Sequence, residues 1–585
     1  MKYRSVHILC FLVLCFAFST TLFAAVKPYF PVHIIIDGIQ DKNIELNAVK
    51  TVHNYRDNMH VPITQEEVLR FVRKSPHFLE KSLRPFGYFQ SQAQTSLVRN
   101  KNGWFVTYHV TLGPAVMIRS MHIQIDGEGK TDHKFIHYLQ HLPLHVGDRL
   151  QTEKYENIKI KLYDLATERG YFNAVMKQHQ IKINLDNNTA RIIIIFNTGK
   201  RFRFGDTTFS QTPFHTSFLK RFLTYQKGHH FNAKKLEKTQ TGLVASNYFM
   251  QVLIRPEPKK AVNGEVPIKI SLILRKRKAY TFGIGYGTDT GLRGTIGYSI
   301  RRIGPYGQRF HTLLRASEHD SSYTAKYIIP GPHPANDLFT IGAGASNINQ
   351  PTGNANNAKF ALAYSIFDEH WKNTFSLSYL AERYDLLNSP LFPNTPFIST
   401  QLVYPEFDTK YTNTDHITHP SKGISFAMEI MGASEKILSE TTFFQVNLHL
   451  NTLYTIKKTN TRLLFRSDLG HTDISNLVNL PLSMQLYAGG ARSVRGYDYN
   501  TIGPGKNLVV ASTEVQQKIK GAFYLVGFID AGVVGDTDIF HHINAGTGPG
   551  VAWVSPIGTM ELTVAEAFTQ QNKPIAIGFT MGSAI

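Results

Sequence analysis

A two-residue alternation in the C-terminal half of the chain constrains its fold more than any other feature. Large apolar residues alternate with small ones around position 280, and the pattern recurs near the end of the sequence. The large residues are Tyr280, Phe282, Ile284 and Tyr286 in the first segment and Ile575, Ile577, Phe579 and Met581 in the second. Successive side chains of a β-strand point to opposite faces, and strands of transmembrane barrels present one face to lipid and the other to the lumen. We therefore expect a transmembrane β-barrel.

Residues 279–585 are enough for a large barrel. Helical periodicity is absent there, and Gly-rich or Pro-rich breaks separate the strand-like runs, as at 303–307 and 351–354. Because a spanning strand needs ~10 residues, the segment has room for roughly 14 to 18 strands with their turns. We expect about 16 antiparallel strands. A soluble β-sandwich is the alternative, but it would be very large and without disulfide bonds, since both cysteines lie in the first fifteen residues.

Residues 1–24 have the layout of a secretory signal peptide. Lys2 and Arg4 precede an apolar run from Ile8 to Phe18, and small residues follow near Ala24. The run is shorter than the ~20 residues of a membrane-spanning helix, which argues against the alternative of an N-terminal anchor. Later apolar runs are shorter still, so we do not expect an α-helical membrane protein.

A motif occurs three times before the alternating half. A Gly-Tyr-Phe triplet begins at Gly87 and at Gly170, and a looser Asn-Tyr-Phe version begins at Asn247. The pattern around each triplet predicts a strand, two helices and two further strands within about 80 residues. This order, together with the triplet, resembles the polypeptide-transport-associated (POTRA) domain. We expect three copies, at 27–115, 116–201 and 202–278.

Three motifs in the C-terminal half resemble a known family. They are Val-Arg-Gly-Tyr at 494–497, Phe-Ile-Asp-Ala-Gly at 528–532, and a Gly-rich strand at 548–558 that ends in Ser-Pro-Ile-Gly. Their order behind POTRA-like repeats resembles the outer-membrane assembly-factor superfamily, which includes BamA, TamA and the TpsB transporters. The resemblance implies α+β POTRA repeats followed by an all-β transmembrane barrel over 279–585. It also implies the outer membrane of a Gram-negative-type cell, with the repeats in the periplasm.

The same resemblance implies an interaction inside the barrel. In the family the Val-Arg-Gly-Tyr motif lies on a long loop that folds into the lumen, so Arg495 would pair with Asp530 and Glu514. Alternation along its own strand independently points Asp530 into the lumen. Gly496 would let the backbone approach closely, and Tyr497 would pack against the wall. The alternative is a solvated Arg495 on an extracellular loop.

Glycines occur in both strands that must meet to close the barrel. They are Gly283 and Gly285 in the first strand, and Gly578 and Gly582 in the last. Glycine weakens a strand, so this lateral seam could open and offer its edges to a client strand by β-augmentation. Alternatively, the glycines only make room in a crowded lumen.

Three repeats and a chain of this length look like the TamA branch of the superfamily, the outer-membrane subunit of the translocation and assembly module. BamA normally has five repeats, and TpsB transporters have two behind a plug helix. The resemblance implies an assembly factor that inserts or translocates outer-membrane and autotransporter-type proteins, with no enzymatic activity, cofactor or metal. Implied partners are outer-membrane lipid, unfolded outer-membrane protein clients and a TamB-like inner-membrane-anchored protein bound by the first repeat. A TpsB-like secretion transporter and a passive porin remain as alternatives.

The chain is strongly basic, with 63 Lys and Arg against 43 Asp and Glu. Such a balance can indicate nucleic-acid binding. The signal peptide and the barrel pattern place the chain outside the cytoplasm, so we expect no nucleic-acid partner. Four basic residues, Arg275 to Lys278, fall where the last repeat meets the barrel. Anionic headgroups or a partner could contact them, and a solvated strand end is the alternative.

Overall fold

The computed structural model describes residues 31–58, 64–386, 397–416, 419–537, 539–555 and 558–582. The signal peptide predicted at 1–24 lies outside these residues, as do 583–585. The chain divides into two compact units. The first contains the residues up to Asp206 together with Gln226–Lys234 and Glu257–Pro267, and the second contains the remainder.

The N-terminal half contains three repeats of a strand, two helices and two further strands. The first comprises β1 (Val32–Asp37), α1 (Lys42–Asp57), α2 (Gln65–Leu83), β2 (Gln92–Asn100) and β3 (Gly103–Thr111). The second comprises β4 (Met117–Asp126), α3 (His133–Gln140), α4 (Thr152–Arg169), β5 (Val175–Asn184) and β6 (Thr189–Asn197). The third comprises β7 (Arg203–Phe209), α5 (Thr216–Lys220), α6 (Ala233–Ala245), β8 (Phe249–Pro256) and β9 (Glu265–Leu274).

The three-stranded sheets share one topology. The last strand of each repeat lies in the middle of its sheet. In the first two repeats it runs parallel to the first strand and antiparallel to the second. The first repeat therefore has β1 and β2 as its sheet edges. Within the described residues, no helix combines the length and apolar character needed to cross a membrane.

Local sequence signals fix the ends of the repeat helices. α2 begins with a capping box, in which the Thr64 hydroxyl accepts a hydrogen bond from the Glu67 N–H and the Glu67 carboxylate accepts one from the Thr64 N–H. α4 ends at Gly170 with a φ of 87°, and α6 is followed by Asn247 with a φ of 63°. These left-handed residues turn the chain toward the next strand.

The C-terminal half forms one sheet of sixteen antiparallel strands in sequence order. Its first half comprises β10 (Lys278–Gly287), β11 (Gly291–Ile300), β12 (Arg309–Ser317), β13 (Asp320–Pro330), β14 (Asp337–Gln350), β15 (Gly353–Phe367), β16 (Trp371–Asp385) and β17 (Ile398–Thr414). Its second half comprises β18 (Lys422–Ala433), β19 (Phe443–Ile456), β20 (Thr461–Ile474), β23 (Asn507–Lys520), β24 (Phe523–Gly535), β25 (Asn544–Ser555), β26 (Gly558–Glu566) and β27 (Ile575–Gly582). Two short strands, β21 (Leu486–Ala488) and β22 (Ile502–Gly505), pair with each other between β20 and β23. The sheet is a nearly closed barrel, which confirms the predicted fold class.

The alternation seen in the sequence separates the two faces of the barrel wall. Along β10, Tyr280, Phe282 and Ile284 are 64%, 75% and 87% exposed. Along β24, Leu525 and Ile529 are exposed whereas Asp530 is buried. Exposed apolar rows of this length are unfavourable in water but favourable in lipid, so they mark the outer face of the barrel.

Candidate functional site

The chain between β20 and β23 folds back into the barrel and packs there. Val494, Tyr497 and Ile502 are buried together with Leu508 and Val510 of β23. Glycines with positive φ make the turns, at Gly489, Gly490 and Gly496. The segment that carries the Val-Arg-Gly-Tyr motif is therefore part of a packed core.

Arg495 is held by Asp530 of β24 in a two-pronged ion pair. Its Nε donates to Asp530 Oδ2 at 2.7 Å, and its Nη2 donates to Asp530 Oδ1 at 2.9 Å. The Arg495 backbone N–H also donates to Asp530 Oδ2, at 3.0 Å. The guanidinium lies over the Phe528 ring, with its carbon 3.4 Å from the ring centroid. Because Arg495 is only 2% exposed, water contributes little to satisfying its charge.

Two further carboxylates surround the same guanidinium. Nη1 of Arg495 donates to Glu514 of β23 at 2.7 Å and to Glu561 of β26 at 3.1 Å. Gln516 donates from Nε2 to Glu514 Oε1 at 2.6 Å, and it accepts from the buried Arg462 at 2.6 Å. One loop residue thus connects three strands of the wall.

The structure brings Arg495, Glu514 and Asp530 together, and it adds Glu561, which the sequence analysis missed. The family motifs do not include this position. A usable signal was the alternation along β26, where the neighbours Leu562 and Val564 are exposed and Glu561 lies on the lumen row. A carboxylate on the lumen row of a strand would have been a candidate partner for a buried arginine.

Gly496 and Tyr497 fit the loop against the wall by close packing. Gly496 has a φ of 99°, and a Cβ there would lie 2.8 Å from the Ala567 nitrogen. The Tyr497 hydroxyl is 2.8 Å from the Thr569 hydroxyl. Gly546 of β25 is a second requirement that the sequence analysis missed, since a Cβ there would overlap the Arg495 carbonyl oxygen. Side chains at Gly496 or Gly546 would push the loop off the wall.

The two ends of the sheet, β10 and β27, are the edges of the lateral seam. Among the described residues no strand ladder joins them. They meet near Thr288, whose N–H lies 3.5 Å from the Phe579 carbonyl oxygen and whose hydroxyl accepts from the Phe579 N–H at 3.3 Å. Most of β10 therefore has unpaired backbone groups along this edge.

The four seam glycines differ in their surroundings. A Cβ at Gly283 would make only ordinary contact with Thr295, whereas one at Gly285 would lie 3.0 Å from the Arg293 side chain. At Gly578 a Cβ would lie 2.8 Å from the Thr563 hydroxyl and 3.5 Å from the Ala491 Cβ of the inserted loop. Gly582 is the last residue of β27. Close packing accounts for Gly578 but not for Gly283.

The inserted loop also bridges the seam. The Ala491 N–H donates to both Asp289 carboxylate oxygens, at 2.9 and 3.0 Å, and Asp289 lies in the turn between β10 and β11. Arg492 donates to the Met581 carbonyl oxygen of β27 at 2.8 Å. We name these four residues the seam clasp. The sequence analysis did not single out Asp289 or Arg492.

Two family models match this chain, one over the barrel half and one over the first repeat. The family model described as the Omp85 superfamily domain matches residues 276–584, more than half of the chain. The chain belongs to the Omp85 superfamily. A second model, described as POTRA domain TamA domain 1, matches residues 34–112.

Solved Omp85 structures and one curated relative are similar over most or part of the chain. BamA from Haemophilus ducreyi lacking POTRA domains 1–3 has a TM-score of 0.66 at 18% identity, covering 80% of this chain and 99% of that one. CdiB from Acinetobacter baumannii has a TM-score of 0.48 at 14% identity, covering 93% of this chain and 99% of that one. The chloroplastic outer envelope protein 80 of Oryza sativa subsp. japonica is 24% identical over 371 residues, which is 56% of this chain and 52% of that relative. This chain thus spans about half the length of the rice protein.

Membership of the Omp85 superfamily locates the protein. The barrel lies in the outer membrane, and the POTRA repeats lie in the periplasm. Omp85 proteins serve outer-membrane protein assembly or secretion, and they act on unfolded outer-membrane protein clients.

Proposed function

We propose that this protein is a TamA-like assembly factor that inserts or translocates outer-membrane and autotransporter-type proteins through its lateral seam. It works by templating strands, without enzymatic chemistry, a cofactor or a metal. The observation that carries the proposal is the unpaired edge of β10 beside β27. An exposed strand edge presents a row of free N–H and C=O groups, and an incoming client strand can satisfy them.

The buried ion cluster of Arg495 supports the proposal by giving the seam a fixed support. Arg495 anchors the loop to β23, β24 and β26, which lie on the β27 side of the seam. From this anchored loop, Ala491 reaches across the seam to Asp289, whereas Arg492 holds Met581 of β27 on the anchored side. Opening then requires breaking the contacts of Asp289 with Ala491 and of Thr288 with Phe579, while the loop stays attached to β27 and its neighbours.

The first repeat is the proposed docking site for a TamB-like inner-membrane-anchored partner. The match of residues 34–112 to the model for the first POTRA domain of TamA supports this assignment. The sheet of the first repeat also has free edges at β1 and β2. Ile35 and Val98 are exposed on these strands. A photocrosslinker at either position should capture a large inner-membrane-anchored protein in cells. Capture of a single secreted passenger alone would favour the TpsB-like transporter.

A disulfide across the seam tests the proposed function. Both native cysteines lie in the predicted signal peptide, so Thr288→Cys with Phe579→Cys forms the pair in the mature chain. We expect the oxidised variant to lose insertion of an autotransporter-type client, and a reductant to restore it. The control pair, Thr281→Cys with Gly297→Cys, joins β10 to β11, which are already paired. Full client insertion with a quantitatively oxidised seam would contradict the proposal.

A further inference from the structure

Six cations cluster at the periplasmic end of the first barrel hairpin. They are Arg275, Lys276, Arg277, Lys278, Arg301 and Arg302, which we call the basic rim. Three of them precede β10, Lys278 is its first residue, and two follow β11. Because β10 begins directly after the periplasmic repeats, this end of the hairpin faces the inner leaflet of the outer membrane. Within the described part of the chain, none of the six forms an ion pair with an acid.

Backbone contacts hold the arginines of the rim close together. Arg277 donates from Nε to the Arg302 carbonyl oxygen at 2.9 Å, and Arg301 donates from Nη1 to the Lys276 carbonyl oxygen at 3.0 Å. Partial burial, and then the nearby charge of Arg277, lower the pKa of Arg302. The fold thus keeps like charges adjacent with no described acid to balance them. A bound anion would relieve this repulsion.

The rim continues the lipid-facing row of β10. Lys278 lies two residues before Tyr280, so its side chain leaves the same face of the strand as Tyr280 and Phe282. Tyr280 packs on Tyr298 of β11 with ring centroids 5.2 Å apart, and both belong to the outer wall. Aromatic residues of barrels sit at the membrane interface. The ammonium group of Lys278 therefore lies at the depth of lipid headgroups.

Other turns at the same end of the barrel have a different charge. The turn after β15 carries Asp368 and Glu369, and the turn after β17 begins with Asp415. The turn after β19 has Lys457 and Lys458, but these lie far along the wall from the seam. Lys518 and Lys520 likewise end β23 beside the stacked Phe523 and Trp553, but these pairs of lysines are smaller than the rim with its six cations.

We propose that the basic rim binds the phosphate groups of anionic phospholipids in the inner leaflet. Planar guanidinium groups bind phosphate oxygens in pairs, and lysine adds mobile positive charge. A lipid occupant fits better than an acidic protein segment because the rim is continuous with a row that faces acyl chains. The inference goes beyond client insertion and does not depend on it, since a barrel of any function could bind lipid there.

The test is native mass spectrometry of the full-length protein in detergent, titrated with phosphatidylglycerol and, separately, phosphatidylcholine. Lys276→Gln with Lys278→Gln removes two exposed charges that make no described side-chain hydrogen bond. We expect phosphatidylglycerol affinity to fall by about thirtyfold, because each of the two lysines contributes about fivefold near an anionic surface. Lys457→Gln with Lys458→Gln is the control, because it removes the same charge from another turn on the same side. It should leave affinity within about twofold of the wild type, since its lysines lie away from the rim.

Four outcomes would overturn the proposal. Equal losses in both double variants would indicate a general charge effect, and equal binding of the two lipids would remove the role of headgroup charge. Displacement of the lipid by millimolar inorganic phosphate would identify a free-anion site. Capture of an acidic protein by a photocrosslinker at Lys278, with no lipid adduct, would identify a protein partner. Heat-modifiable migration of each variant in gels checks that its barrel is folded.

Discussion

At the scale of single residues, Arg495 determines how firmly the inserted loop is held. Arg495→Ala would leave Asp530 and Glu514 buried without their cation. Removing one partner of a buried ion pair costs about 3–5 kcal/mol. We expect the variant to unfold at a lower temperature, measured by heat-modifiable migration. Arg315→Ala is the control, because Arg315 is exposed on β12 and has no acidic partner in the described structure. Equal thermal stability of the Arg495 variant and the control would contradict a buried lock.

The three acids around Arg495 should contribute unequally. Asp530 accepts from two guanidinium nitrogens and from the backbone, Glu514 accepts at 2.7 Å, and Glu561 accepts at 3.1 Å. We therefore expect loss of stability to decrease from Asp530→Asn through Glu514→Gln to Glu561→Gln. Urea titration of the three refolded variants measures this order. If Glu561→Gln lowered stability the most, the contact of Arg495 with β26, and not its pair with Asp530 of β24, would hold the loop.

Asp132 gives the second repeat a pH-dependent stability. Burial raises its pKa, but hydrogen bonds from Arg169, the Lys134 backbone and Tyr171 outweigh burial, so the net pKa lies below the usual range. A carboxyl group whose pKa is lower in the folded state stabilises the fold at pH values above its unfolded pKa of about 3.9. This stabilisation is lost as the pH falls through the folded-state pKa. The protection of α4 amides from hydrogen exchange, relative to their intrinsic rates, should therefore fall more between pH 5 and pH 3 in the wild type than in Asp132→Asn. An identical pH response would contradict this contribution.

At this scale, sequence reasoning reached the residues that carry motifs and missed those that depend on packing. Arg495, Glu514 and Asp530 were named from the family motifs and strand alternation. Glu561 meets Arg495 only because β26 lies two strands from β24 in the curved wall. Asp289 is 202 residues from Ala491 in sequence. No local pattern specifies a contact of that separation.

At the scale of elements, we propose that the Ala491–Asp289 contact of the seam clasp resists separation of β10 from β27. Asp289→Asn keeps the size of the side chain but removes the charge that accepts the Ala491 N–H. We expect this variant to open more often, which appears as more frequent large conductance steps in planar bilayers. Asp320→Asn is the matched control, because Asp320 is an exposed acid at the first position of β13 and is not part of the seam clasp. Unchanged conductance in Asp289→Asn would exclude a role for the clasp in closing the seam.

The element order was predictable, but the incomplete closure was not. The repeated triplets and the helix-ending residues Gly170 and Asn247 indicated the order of strands and helices in each repeat. Period-two alternation gave the two faces of β10 and β27. Whether those two strands form a ladder depends on their register, which neither strand specifies alone because both are rich in glycine. The alternation therefore predicts which side chains face lipid, but it does not predict whether β10 and β27 pair to close the barrel.

At the scale of the whole molecule, we predict that clients meet the barrel at one place on its wall. β10 is the exposed edge of a sheet whose other strands are paired on both sides, apart from β27. The periplasmic repeats have sheet edges of their own, at β1 and β2 in the first repeat. An Omp85 barrel that only conducted solutes would not need a free edge that faces lipid.

The most direct test of the central claim is site-specific crosslinking to a client arrested during insertion. Photocrosslinkers replace Ile284 of β10 and Ile577 of β27, both exposed on the seam strands, and Phe375 of β16, which is exposed on a fully paired strand. We predict adducts with the terminal strand of the client at Ile284 and Ile577 and none at Phe375. Equal adducts at all three positions, or no client adduct at Ile284 and Ile577 during insertion, would contradict lateral insertion at the seam.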